Sequence, residues 1–302
     1  MMSIGLTGAA TGALPVAGDA DAALDAMGVT PTTCVAMLER VGAAAESVAP
    51  VIALKERVRL AGVATGAGEV ERALLLRAAA VARRQLPQLP LAEDVKRLML
   101  GEFDHLAAVT PSLLPQVIVG HDTFVSLCKI VTLRRFVAGQ LHWERSGIPR
   151  SWIAKIMLRG SPGILSFVAR KLGGRAPIVF AHLAWRRALV LREKEHLKAY
   201  HRIARSIELQ PDVRAFVAES WFHSPDTHRV SPHLAWLNTA IVENGGLVSV
   251  LGAAHADSGV FTGGAERRRL HEAGKFTPTT AVAIWPRAAM IDWAHRHPDL
   301  AS

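Results

Sequence analysis

Between Pro31 and Ala107 the apolar residues recur at the three- and four-residue spacing of helices. Thr33 can cap a helix that runs through Val35, Leu38 and Val41 toward Leu60, with a break near Pro50. A Gly/Ala hinge covers 62–68. Val70, Leu74 and Val81 then predict a helix over 69–86, and a third helix follows over 92–107. Glu93 and Asp94 fall in its first turn, where the helix dipole favours acids. Residues 31–115 therefore read as a helical domain. Residues 1–30 are mostly small and bury too little area to offset the entropy of ordering, so they read as a flexible leader. Its start lacks a basic region and its first charges are Asp19, Asp21 and Asp25, which argues against a targeting peptide.

Residues 116–302 read as an α+β domain. Residues 116–119 fit either a short strand or the approach to a helix. Asp122 caps a helix carrying Phe124, Leu127, Ile130, Val131 and Leu133. Further helices are expected at 152–158, 163–172 and 177–188. A longer one covers 189–209, where Leu197, Tyr200, Ile203 and Ile207 make one stripe. Pro211 ends it, and Asp212 caps another over 213–221. After a helical stretch at 233–238, residues 240–251 read as a β-hairpin with Glu243-Asn-Gly-Gly246 as its turn. A helix at 265–273 closed by Gly274, a strand at 279–285 and a helix from Pro286 to His295 complete the chain. The fold class is α+β: a helical N-terminal half, a basic helical middle, and a small mixed β-sheet with helices in the C-terminal part.

Charge changes this picture in one region. Sixteen of the thirty-five Lys and Arg residues lie between Lys129 and Arg202, against three carboxylates, Glu144, Glu193 and Glu195. Trp143, Trp152, Phe167, Phe180, Trp185 and Tyr200 are interleaved with them. Cations, Trp and short apolar helices together fit an anionic membrane surface or an anionic small molecule. They fit equally an ordinary core beneath a solvated charged face. Nucleic acid is disfavoured, because no helix-turn-helix, zinc-finger or RNA-binding signature accompanies the charge. The two cysteines, Cys34 and Cys128, form neither a metal pair nor a disulfide framework, as suits a reducing compartment. The best uncharged run for a span, 106–120, is too short to cross a bilayer and contains Pro111 and Pro115. A cytoplasmic location follows, with attachment to the inner face of the membrane as an option.

The most polar passage runs from Glu219 through His223, Asp226 and His228 to His233. Histidine carries protons near neutral pH, so His223 with Glu219 or Asp226 is a candidate acid–base group. The five-residue spacing of His223, His228 and His233 makes them candidate ligands for Zn²⁺ or Fe²⁺, although it matches no established pattern and no metal is favoured. Glu195-His196 with His201 does not reproduce the His-Glu-x-x-His order. Gly120-His121-Asp122 and His142-Trp-Glu144 are polar pairs beside apolar runs. The second candidate is the loop with Gly259, Gly263 and Gly264, followed by Arg267 and Arg268 at a helix start. Glycines there let backbone N–H groups approach an anion. A turn followed by an exposed helix face is the plainer reading.

The order hairpin, glycine loop, helix, strand, helix over 239–295 resembles the later half of the GNAT acyltransferase fold. In that family a loop of the form Arg/Gln-x-x-Gly-x-Gly/Ala meets the pyrophosphate of an acyl-CoA. The spacing of Ser258 to Gly264 departs from that form, and the likeness rests on element order. It implies an acyltransferase using an acyl-CoA or similar donor. Gly259, Gly263, Gly264, Arg267 and Arg268 would hold the donor, and Glu219, His223 and Asp226 would activate a lipid-like or anionic acceptor. A non-enzymatic protein docking on a membrane surface or acidic partner is the alternative, and a His-ligated metal enzyme the second.

Overall fold

The computed structural model describes residues 18–43, 48–113, 121–149, 151–152, 154, 162–172, 177–184, 191–254, 259–261 and 264–301. The chain divides into two compact units, Met1–Leu89 with Met99–Arg134, and Pro90–Leu98 with Arg135–Ser302.

The first unit is helical. Its elements are α1 (Gly18–Ala26), α2 (Pro31–Ala43), α3 (Ala49–Leu60), α4 (Glu69–Gln85), the part of α5 (Glu93–Ala108) from Met99 onward, and α6 (His121–Val131). Each turns one apolar stripe inward: Cys34, Leu38 and Val41 on α2, Val51, Leu54 and Val58 on α3, Leu74 and Leu75 on α4, Phe103 on α5 and Phe124 on α6 are all buried. Gly68, at φ +80°, opens α4; a Cβ there would collide with the carbonyl oxygen of Pro111. The sequence reading fails at α1. Ala20, Ala23 and Leu24 are buried. Arg77 of α4 donates through Nε to Asp21 at 2.5 Å and through NH1 to the Val29 carbonyl at 2.6 Å. A long-range cation thus orders a segment whose own side chains are too small to order it. Residues 1–17 and 116–119 lie outside the described residues.

The second unit is a mixed sheet with helices, so the chain is α+β. The strands are β1 (Arg135–Val137), β2 (Leu141–Ser146), β3 (Ile178–Leu183), β4 (Ala215–Ser220), β5 (Leu247–Ala253) and β6 (Thr279–Pro286). Their order is β1-β2-β3-β4-β6-β5. Only β3 and β4 run parallel among these neighbours. A parallel pair needs a crossover, supplied by α8 (Glu193–Glu208). The remaining helices are α7 (Pro162–Phe167), α9 (Pro225–Val230), α10 (Trp236–Val242), α11 (Ala265–Glu272) and α12 (Arg287–Arg296). One sheet face carries Ile178, Ala215, Val217, Val282 and Ile284 into a core with Trp152, Ile164 and Leu172. On the other, Tyr200 of α8 meets Phe216 and Trp285 edge-on at 5.3 and 5.8 Å. Tyr200, Ile203 and Ile207 are fully buried, as the stripe on α8 requires.

Three expectations are corrected. Residues 178–183 and 215–220, read as helical, are strands β3 and β4. Their apolar residues face cores on both sides, so the alternation that marks a half-exposed strand is missing. The basic middle is therefore part sheet. The hairpin expected at 240–251 is instead the end of α10, a turn with Gly245 at φ +79°, and β5; β5 pairs with β6. The basic segment is also partly neutralised within each unit: Arg134 pairs with Glu39, Arg145 with Asp212, Lys198 with Glu195 and Arg202 with Asp94. Among the described residues no helix is long and apolar enough to cross a membrane.

Candidate functional site

The ladder between β3 and β4 runs from Val179–Phe216 to Ala181–Ala218 and stops. Both strands continue. His182 and Leu183 go on pairing with His142 and Leu141 of β2, while Glu219 and Ser220 go on pairing with Val282 and Ala281 of β6. The sheet is thus unzipped at the carboxyl ends of its parallel pair, the place where open α/β sheets bind ligands. Gln140, in the turn between β1 and β2, braces the connection leaving this opening. Its carbonyl accepts from Ala184 N at 2.9 Å, and its Oε1 accepts from Arg192 N, at the start of α8, at 3.4 Å.

A charged group stands beside the opening. Opposed residues of neighbouring strands share a face, so Arg135, Glu144, Phe180 and Val217 form one row. His182 and Glu219 lie one step further along that face. Arg135 donates to Glu144 Oε2 from Nε at 3.3 Å and from NH2 at 3.1 Å. His182 Nε2 lies 3.1 Å from Glu144 Oε1 and 3.2 Å from Arg135 NH2. One nitrogen therefore faces both an acceptor and a donor. With a hydrogen on Nε2 it donates to Glu144; with a lone pair there it accepts from Arg135. The ring can take either tautomer without moving. Arg135 and Glu144 are 13% and 17% exposed, while the His182 side chain is 31% exposed. Phe180 packs on His182 at 4.7 Å and on Trp152 at 5.4 Å.

A second histidine group lies just past the end of β4. His223 bonds through Nδ1 to Asn238 Oδ1 at 2.9 Å. Asn238 Nδ2 donates to the His223 carbonyl at 2.9 Å, which fixes the amide orientation, and lies 3.4 Å from His228 Nδ1. His228 Nε2 donates to the Phe222 carbonyl at 2.7 Å. An acceptor oxygen on Nδ1 puts the His223 hydrogen there and the lone pair on Nε2. Burial lowers the pKa of His223 to about 4, against the support of Asn238, with His228 pushing the same way as burial. His196 of α8, 4.7 Å edge-on from Tyr200, is lowered to about 3 by burial and by His223. Its Nδ1 and the Tyr200 hydroxyl are buried without hydrogen-bond partners.

The residues singled out from sequence are dispersed. Asp226 does not meet His223: it accepts from Thr279 at 3.1 Å and pairs with Arg229 at 3.3 Å. Glu219 lies on β4 at the opening. His228 is committed to Phe222 and Asn238, and His233 is exposed in a turn at Pro232–Leu234. Among the described residues no three His, Cys, Asp or Glu side chains gather as a metal site requires. In the glycine loop, Gly259 takes φ +75° and Gly263 lies outside the described residues. Gly264 faces Arg267, whose guanidinium a Cβ at that position would meet. Arg267 donates to the Val260 carbonyl at 2.7 Å and to Ser231 at 3.2 Å, and lies 4.8 Å over the Trp221 ring. Arg268 is exposed. Arg135, Glu144, His182 and Asn238 were missed. The signal for Glu144 was present: His142-Trp143-Glu144 alternates polar and apolar, as a strand does.

No family model matches the chain, and no curated protein matches it. A solved structure described as the crystal structure of an acyltransferase in complex with decanoyl-CoA is similar at 11% identity and a TM-score of 0.40, over 77% of this chain and 82% of that one. A likeness at that level assigns neither ligand nor activity here.

Proposed function

We propose that this protein transfers an acyl group from an acyl-CoA-type thioester to a small-molecule acceptor at the carboxyl ends of β3 and β4. The observation that carries the reading is the unzipped parallel pair with the Arg135–Glu144–His182 group on its flank. A CoA-type donor has an extended arm with amide groups, and a parted pair of strands offers such groups a hydrogen-bonding edge.

The chemistry follows from the hydrogen-bond pattern. Glu144, bonded to Nε2, orients His182 as the general base. His182 takes the proton of the acceptor nucleophile as that atom attacks the thioester carbonyl. The C–S bond then breaks, and the proton passes to the departing thiolate. Glu144 stabilises the imidazolium between the two steps, and Arg135 holds Glu144 in place. His223, with Nε2 unprotonated, serves as an uncharged hydrogen-bond acceptor rather than as a base at neutral pH.

The test is thiol release from a panel of acyl-CoAs, with amine and hydroxyl acceptors, by the wild-type chain and by His182→Gln. Turnover that His182→Gln abolishes, with folding unchanged by circular dichroism, is the expected result. Binding of no acyl-CoA in calorimetry, or equal turnover by the two proteins, rejects the reading.

A further inference from the structure

We propose that β5 is a self-pairing edge through which two copies of this chain form a dimer. β5 ends the sheet order beside β6. Its backbone bonds to β6, and among the described residues no other backbone group bonds to Val248–Leu251. Leu247, Val248, Ser249 and Val250 are all half-buried. An open edge of this kind is a template for another strand, and proteins ordinarily blunt one with Lys, Pro or a very short strand. β5 has neither a charge nor a proline over seven residues. The opposite edge is blunted: β1 has three residues and bears Arg135.

The occupant follows from the strand's own sequence. Leu247-Val-Ser-Val-Leu251 reads the same in both directions about Ser249. Antiparallel pairing of two copies about a two-fold axis at Ser249 sets Ser249 against Ser249, Val248 against Val250, and Leu247 against Leu251. That is the isologous contact a closed dimer needs. No ionisable side chain occurs from Leu247 to Ala253, so two copies meet without repulsion, whereas a charged peptide finds nothing to pair with. The register shift between Val250 and Gly252 bends the strand at Leu251 and limits the straight run to one short, self-matched segment. It stops the edge from propagating into longer assemblies.

Sedimentation equilibrium of the full chain should give twice the chain mass, falling toward one mass on dilution. Ser249→Lys places like charges directly opposite each other and should weaken the dimer by about tenfold in dissociation constant. Ser249→Cys brings two thiols within disulfide reach on the axis. Diamide, which takes up the two thiol hydrogens, should then give a covalent dimer that the wild-type chain, with Cys34 and Cys128 buried, does not give. A chain that stays monomeric at every concentration overturns the proposal. So does a dimer that Ser249→Cys fails to cross-link. If Ser249→Lys fails to fold by circular dichroism, the cysteine variant alone decides.

Discussion

His182 and His223 sit in the same unit in unlike surroundings. His182 is about one-third exposed and touches a carboxylate that is itself braced by an arginine. His223 is 4% exposed and touches an amide. A carboxylate stabilises the imidazolium, and partial exposure lets a proton come and go; an amide does little for the charged form, and burial penalises it. The lesson is that a histidine's role is set by what faces its second nitrogen and by its distance from water. The density of polar residues around it in sequence does not decide. The passage 219–233 is the most polar in the chain, yet burial holds its His223 neutral.

That contrast can be broken at either end. The largest effect belongs to His182→Gln, with a loss of acyl transfer of roughly 10²–10⁴-fold, read as thiol release, and little change in melting temperature. Should turnover survive, His182 is not the proton carrier. Asn238→Ala strands the buried Nδ1–H of His223 and frees its carbonyl. Chemical denaturation should show a stability loss of about 1–3 kcal/mol, and a null result would mean that water replaces the amide. The third prediction concerns pH. The folded pKa values of His223 and His196, about 4 and about 3, lie below the ordinary 6.5. The unfolded chain therefore binds more protons in this window. The stability these two residues contribute is fully present above pH 6.5 and is lost as pH falls toward 4 and below. His196→Phe keeps a ring against Tyr200 and removes one titrating group. It should flatten the slope of unfolding free energy against pH by up to about 1.4 kcal/mol per unit. An unchanged slope would show that His196 is solvated. The smallest effect is expected from Arg267→Ala: about 0.5–1 kcal/mol of stability, from the contact with Trp221. A large loss of acyl-CoA affinity in that variant would return Arg267 to the donor site.

The helices of the first unit after α1 were legible because each turns one apolar face inward, so period and burial agree. α8, α11, β6 and α12 were legible for the same reason or through their capping residues. β3 and β4 were not. Ile178–Leu183 and Ala215–Ser220 are short apolar runs packed on both faces, and such runs carry no period that separates strand from helix. Missing them hid the site, because its opening exists only where these two strands lie parallel and part. Glu144 was seen as a polar neighbour of Trp143 and His142, but its partners Arg135 and His182 lie 9 and 38 residues away in sequence. Asn238, fifteen residues from His223, was read only as part of a helical stretch.

From sequence alone came the α+β class, the amphipathic helices and the regional excess of cations, since each depends on residues near one another along the chain. Which cations are paired, which strands are parallel, where their ladder ends and which histidine meets a carboxylate were decided only in three dimensions. Hydrogen bonds and ion pairs act over a few ångströms of space, and folding brings distant segments within that range in ways that local spacing does not encode.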